Sequence, residues 1–139
     1  MAAYNKIQQF PKDLIDGVHD FDGHSFKVVL SNSATVNTNT ILANLTQISN
    51  GNGYTTGGAA TTITTSVSSG TAKVVGSDVT WTASGSMGPF RYPTWYNDTP
   101  SSPADPLIAW WDYGSSITLA ATETFTVDFD ASGGIFTIA

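Results

Sequence analysis

Glu123-Thr124-Phe125-Thr126-Val127-Asp128-Phe129-Asp130 carries apolar side chains at 125, 127 and 129 and polar ones at 124, 126, 128 and 130. That period of two is the pattern of a β-strand with one buried face. Upstream, Asp105-Pro106-Leu107-Ile108-Ala109-Trp110-Trp111-Asp112-Tyr113-Gly114 reads as a strand interior on both sides. Ser116 to Leu119 and Gly134 to Ala139 add short strands, so the last third of the chain is a run of strands. Farther back, Ala60 to Ser68, Ala72 to Val75 and Val79 to Ser84 are Thr/Val-rich and are separated by Ser69-Gly70 and Gly76-Ser77, which predicts an antiparallel meander. In the third of these, Val79, Trp81 and Ala83 should face one way.

The N-terminal third is mixed. Tyr4 to Val18 holds a helix candidate, with Pro11 suited to a first turn, Asp13 near the positive end of the dipole, and Leu14, Ile15 and Val18 on one face. Ser25 to Ser31 is a strong strand, Ser31 to Asn39 a polar connection, and Thr40 to Ile48 suggests one or two helical turns. Asn50 to Gly58 has four glycines and must be irregular. Gly88 to Asp98 is aromatic-rich, and its prolines predict an edge or bulged strand, because proline cannot donate to a ladder. The expected fold is mainly β: a single domain over residues 1–139, an antiparallel β-sandwich or jelly-roll-like barrel with one or two short helices in the N-terminal third.

Composition narrows the function classes. Only 12% of residues are charged, against about 25% in an average domain, so hydroxyls and amides cover the surface. The net charge of −6, with five basic residues, is too acidic to displace counterions from phosphate, which disfavours nucleic acid and anionic membrane as partners. The absence of cysteine removes thiol catalysis and disulfides. No signal-peptide-like stretch opens the chain and no run nears the roughly 20 apolar residues of a membrane helix, so an unexported, soluble chain is expected.

Candidate chemistry is sparse. His19, Asp20, Asp22 and His24 are the one cluster of possible metal ligands, though a polar turn accounts for them as well. Asp128 and Asp130 lie two apart on a strand, about 6–7 Å by strand rise, a separation some glycosidase carboxylate pairs share; a solvated strand face running into the 131–134 turn is the preferred reading. Ser84-Gly85-Ser86-Met87-Gly88 misses the nucleophile-elbow spacing, and the glycine loop lacks the Lys-Ser/Thr of a phosphate loop. No catalytic residue, metal or cofactor is assigned. The aromatic stripe of Phe90, Tyr92, Trp95, Tyr96, Trp110 and Trp111, with Arg91 among them, reads as core, as a sugar-stacking platform or as a subunit interface; outside the core reading, the interface is preferred.

Phe26 to Asn32, Asn50 to Gly58, Gly88 to Tyr92, Tyr96 to Thr99, Asp105 to Ile108, Trp111 to Gly114 and Phe125 to Asp130 together resemble a family of small virion-associated proteins of tailed bacteriophages and prophages. The resemblance implies a virion protein assembled in a bacterial host cytoplasm. It points to a head decoration, or cement, protein that binds the major capsid protein and itself, as a homotrimer, with residues 1–10 as an arm on the capsid or on a neighbour. A tail or baseplate component that binds host glycans through the glycine loop and aromatic stripe is the alternative. A carbohydrate-active enzyme using Asp128 and Asp130 is another.

Overall fold

The structure is a computed structural model that describes residues 2–139. Among the described residues, twelve strands run in order: β1 (Asn5–Lys6), β2 (Phe26–Ser31), β3 (Ala59–Thr61), β4 (Ile63–Ser68), β5 (Thr71–Gly76), β6 (Val79–Thr82), β7 (Met87–Phe90), β8 (Tyr92–Asn97), β9 (Leu107–Trp110), β10 (Ile117–Leu119), β11 (Thr124–Val127) and β12 (Phe136–Ile138). One α-helix, α1 (Phe10–Ile15), precedes β2, and a 3-10 turn spans Leu42–Asn44. All strand pairing is antiparallel. A central sheet has the order β1-β9-β8-β2-β3, and three smaller pieces, β10-β7, β11-β6 and β12-β5-β4, complete a mainly β, sandwich-like arrangement of open sheets.

The central sheet is buried on both faces. Register puts Phe26, Val28, Leu30, Trp95 and Ala109 on one face, and each is almost wholly shielded. Phe21 stacks on Phe26 with centroids 5.0 Å apart, and Phe129 and Phe136, from the β11 and β12 end of the chain, reach Trp95 at 6.5 and 6.3 Å. The opposite face, with Val29, Thr94, Tyr96 and Ile108, is covered by the polar segment 32–58. Thr35 and Thr94 share a buried hydroxyl pair at 2.8 Å, Tyr96 Oη donates to the Gly57 carbonyl at 2.7 Å, and Trp110 Nε1 donates to Asn37 Oδ1 at 2.8 Å. A segment rich in Ser, Thr and Asn can roof a sheet because its side chains satisfy the buried polar atoms it meets.

The glycine loop is part of this roof. Tyr54 is buried, its hydroxyl donates to Gln47 Oε1 at 2.7 Å, and it accepts from the Leu30 amide at 3.3 Å. Gly58, at φ +79°, passes so close to β2 that a Cβ there would lie 1.9 Å from the Val28 carbonyl oxygen. The backbone can follow this path only without a side chain at 58.

Several sequence expectations change. Of the edge or bulged strand expected over 88–98, the edge reading falls and the bulged one holds for Tyr92–Asn97: β8 lies between β9 and β2, with a register shift at Trp95/Tyr96. Pro93 is tolerated because its carbonyl faces β9, where it accepts from Trp111 at 3.0 Å beyond the last registered pair, and its missing N–H lies on the same side. The three-strand meander is a hairpin, β4-β5, whose Ser69-Gly70 turn has positive φ at both residues. β6 pairs instead with β11, after Ser77 turns back to the Thr62 carbonyl and Asp78 accepts from the Phe129 amide at 2.9 Å. Residues 5–10 are no free arm, since Asn5–Lys6 pair with β9 and Ile7 and Phe10 are core; residue 1 lies outside the described residues. The helix is six residues long and buries Phe10 and Asp13, leaving Ile15 85% exposed, because Gly17 at φ +75° ends it before a Leu14-Ile15-Val18 face can form.

Trp95 touches both the β2 aromatics and those of the C-terminal strands, so Trp95→Ala should lose about 3–5 kcal/mol of stability by cavity formation. Urea unfolding followed by fluorescence measures that loss; a change within 1 kcal/mol or so would contradict this placement.

Candidate functional site

One open groove of about 500 Å³ combines aromatic walls with carboxylates. Tyr4 and Trp111 meet edge to face at 5.9 Å, Trp111 rests on Phe129 at 5.6 Å, and Tyr113 meets Phe125 at 5.6 Å. Asp128 and Asp130 stand exposed along the same groove. Four separate parts of the chain build it: the N-terminal segment before β1, Pro93 of β8, the turn after β9, and β11 with its connection to β12. Burial pushes the Tyr4 phenol up to about 12, so it stays protonated and able to donate.

The Trp111–Gly114 wall is held by the chain's single arginine. Arg91 Nε and Nη2 donate to the two carboxylate oxygens of Asp112 at 2.7 and 2.9 Å, and the Gly114 amide adds a bond to Asp112 Oδ1 at 2.8 Å. The guanidinium and that amide hold the Asp112 carboxyl below the usual range. A bidentate pair fixes orientation as well as distance. Arg91 also lies over the Tyr92 ring at 5.3 Å. Its role within the chain is to fix the turn that presents Trp111 and Tyr113.

The proposed interface residues therefore separate. Phe90, Trp95 and Tyr96 are at most 1% exposed, so they are core and not available to a partner, a correction to the interface reading of the stripe. Arg91, Tyr92, Trp110 and Trp111 are half-buried. Sequence reading missed Tyr4 and Phe125 as groove residues: Tyr4 sat in the supposed arm, and Phe125 showed only as the buried side of a strand.

Asp128 and Asp130 leave the end of β11 and do not sit within it. Asp130 accepts from the Ser132 and Gly133 amides, both at 2.8 Å, and these bonds lower its pKa. A carboxylate kept ionised by two amides is a poor general acid, and it serves here as a turn former.

The histidine turn closes inward. His19 and His24 both point Nδ1 at the buried Asn97 amide nitrogen, at 3.1 and 2.9 Å. An amide nitrogen only donates, so both imidazoles accept. Asp20 caps the turn through the Asp22 and Gly23 amides, and Asp22 accepts from Thr65 Oγ1. No group of three or more His, Asp or Glu side chains is arranged for a metal among the described residues. The chain matches no known family, no curated protein and no solved structure.

Burial is the main cause that drags the His19 pKa down to about 4, against a smaller upward pull from Asp13. Below its unfolded value of about 6.5, the unfolded chain binds a proton that the folded chain refuses, so this histidine's contribution is intact above that pH and fades as pH falls toward 4. The loss is on the order of 3 kcal/mol, and His19→Asn should flatten the slope of stability against pH across that window. Denaturant titrations at a series of pH values test it; equal slopes in the two proteins would refute the assignment.

Proposed function

We infer that this chain is a structural protein of a tailed-bacteriophage particle, a head decoration protein that binds between major capsid subunits and stiffens the shell. The observation that carries this reading is where the reactive side chains are engaged. His19 and His24 accept from Asn97, Asp130 caps a turn, Asp78 ties the Phe129 amide to the start of β6, and Arg91 braces Asp112, so these groups are committed to holding shape. A doubly covered central sheet beneath a hydroxyl-rich exterior suits a load-bearing role, and the sequence resemblance supplies the setting. Purified particles analysed by mass spectrometry and reconstruction should hold hundreds of copies on the head lattice. Confinement to the tail at a few to tens of copies would overturn the reading.

The groove favours a second reading, a virion component that binds host glycan. Half-exposed Trp111 and Tyr113 beside Asp128 supply a ring face for stacking and an acceptor for sugar hydroxyls. The glycine loop plays no part in it, because Tyr54 fastens that loop to the core. On a glycan array, this reading expects binding that falls at least about tenfold in Trp111→Ala, as loss of one stacked ring would produce. Binding that survives the substitution would remove the groove from consideration.

A further inference from the structure

The three-stranded sheet ends in an unusually bare edge. In β4 the pairing sums of 139, together with the Ser77 amide on the Thr62 carbonyl, make Thr64, Ser66 and Ser68 the residues that bond to β5. Ile63, Thr65 and Val67 therefore aim their N–H and C=O groups outward, and β4 is the last strand of its sheet. Edge strands are ordinarily blunted by charge, proline, a bulge or a covering segment. From Ile63 to Ser68 there is no charge and no proline, and the register with β5 is unbroken.

The same hairpin leaves apolar surface uncovered. Val67, Ala72 and Ile138 lie side by side across β4, β5 and β12 on one face. Val67 is 73% exposed and Ile138 48%. Between Ile63 and Gly76 the single charge is Lys73, so the hairpin itself carries none of the carboxylates behind the chain's net charge of −6. Asp22 is the carboxylate bonded to the strand, and Thr65 Oγ1 donates to it.

We propose that β4 is a self-association edge that pairs antiparallel with β4 of a second copy about a two-fold axis at Thr65. This goes beyond the particle reading and does not depend on it. Thr65 then faces Thr65, while Ile63 of each copy faces Val67 of the other, so all three outward residues exchange hydrogen bonds in register. The apolar residues meet each other and the two threonines form a cross-strand pair. An isologous contact of this kind needs a strand complementary to its own reverse, and Ile-Thr-Thr-Ser-Val satisfies that at both ends and the centre. The result is a continuous six-stranded sheet, β12-β5-β4 joined to its copy, in which each Val67-Ala72-Ile138 row runs on into Ile63 of the other copy.

Sedimentation equilibrium over a wide concentration series tests this. The full chain should shift from one to two chain masses, and Val67→Lys, which places like charges at both ends of the contact, should weaken association at least about tenfold. Thr65→Pro removes an outward N–H at the axis without touching the β5 ladder and should do the same. Circular dichroism and thermal unfolding confirm that each variant is folded, and hydrogen exchange on the unsubstituted chain should show the amides of 63, 65 and 67 gaining protection with concentration. A chain that stays single at every concentration overturns the proposal, as does a two- or three-chain species that both substitutions leave unchanged.

Discussion

The fold depends on the shielding of one sheet from both sides by unlike materials. On one face, ring edges and faces from Phe21, Phe129 and Phe136 close over Phe26 and Trp95. On the other, hydroxyls and amides of 32–58 bond directly to the sheet's polar side chains. The first cover is favourable because it removes apolar area from water; the second because no buried donor or acceptor it meets is left without a mate. Neither cover tolerates slippage, since a shift of one residue in β8 would exchange Trp95 for Thr94.

Much of this was legible locally. Alternation at Phe125, Val127 and Phe129 and the β-branched run of β2 announced strands, and Val79, Trp81 and Ala83 do share a buried side. What failed was anything decided by partners distant in sequence. Pro93 left edge and bulged strand both open, and a central strand accommodates it because its neighbour ends at the right place. β6 looked like the next strand of a meander, but its mate lies more than forty residues later, in β11. The polar, glycine-rich stretch read correctly as an irregular loop, and only the hydroxyl of Tyr54 and the close passage of Gly58 reveal that it lies as a cover over β2.

The site shows the same division. Trp111 and the two C-terminal aspartates were visible as candidates, while their meeting with Tyr4 required the N-terminal segment to dock beside β9. Phe90, Trp95 and Tyr96 could not be sorted from Trp111 by type, because aromatic residues serve interiors and contact surfaces alike. The arginine was conspicuous for its rarity; its partner, Asp112, is twenty-one positions away and gave no local sign.

Among the described residues, opposite charges meet at three places only: Lys12 with Asp16, Lys27 with Asp98, and Arg91 with Asp112. Each is partly open to water, where such attraction is weak and easily damped by dissolved electrolyte. Cohesion rests almost wholly on ring contacts, aliphatic packing and neutral donor–acceptor pairs, which mobile ions barely touch. In a molecule so built, dissolved electrolyte acts chiefly on the mutual repulsion of its excess carboxylates, not on the contacts that hold the fold together.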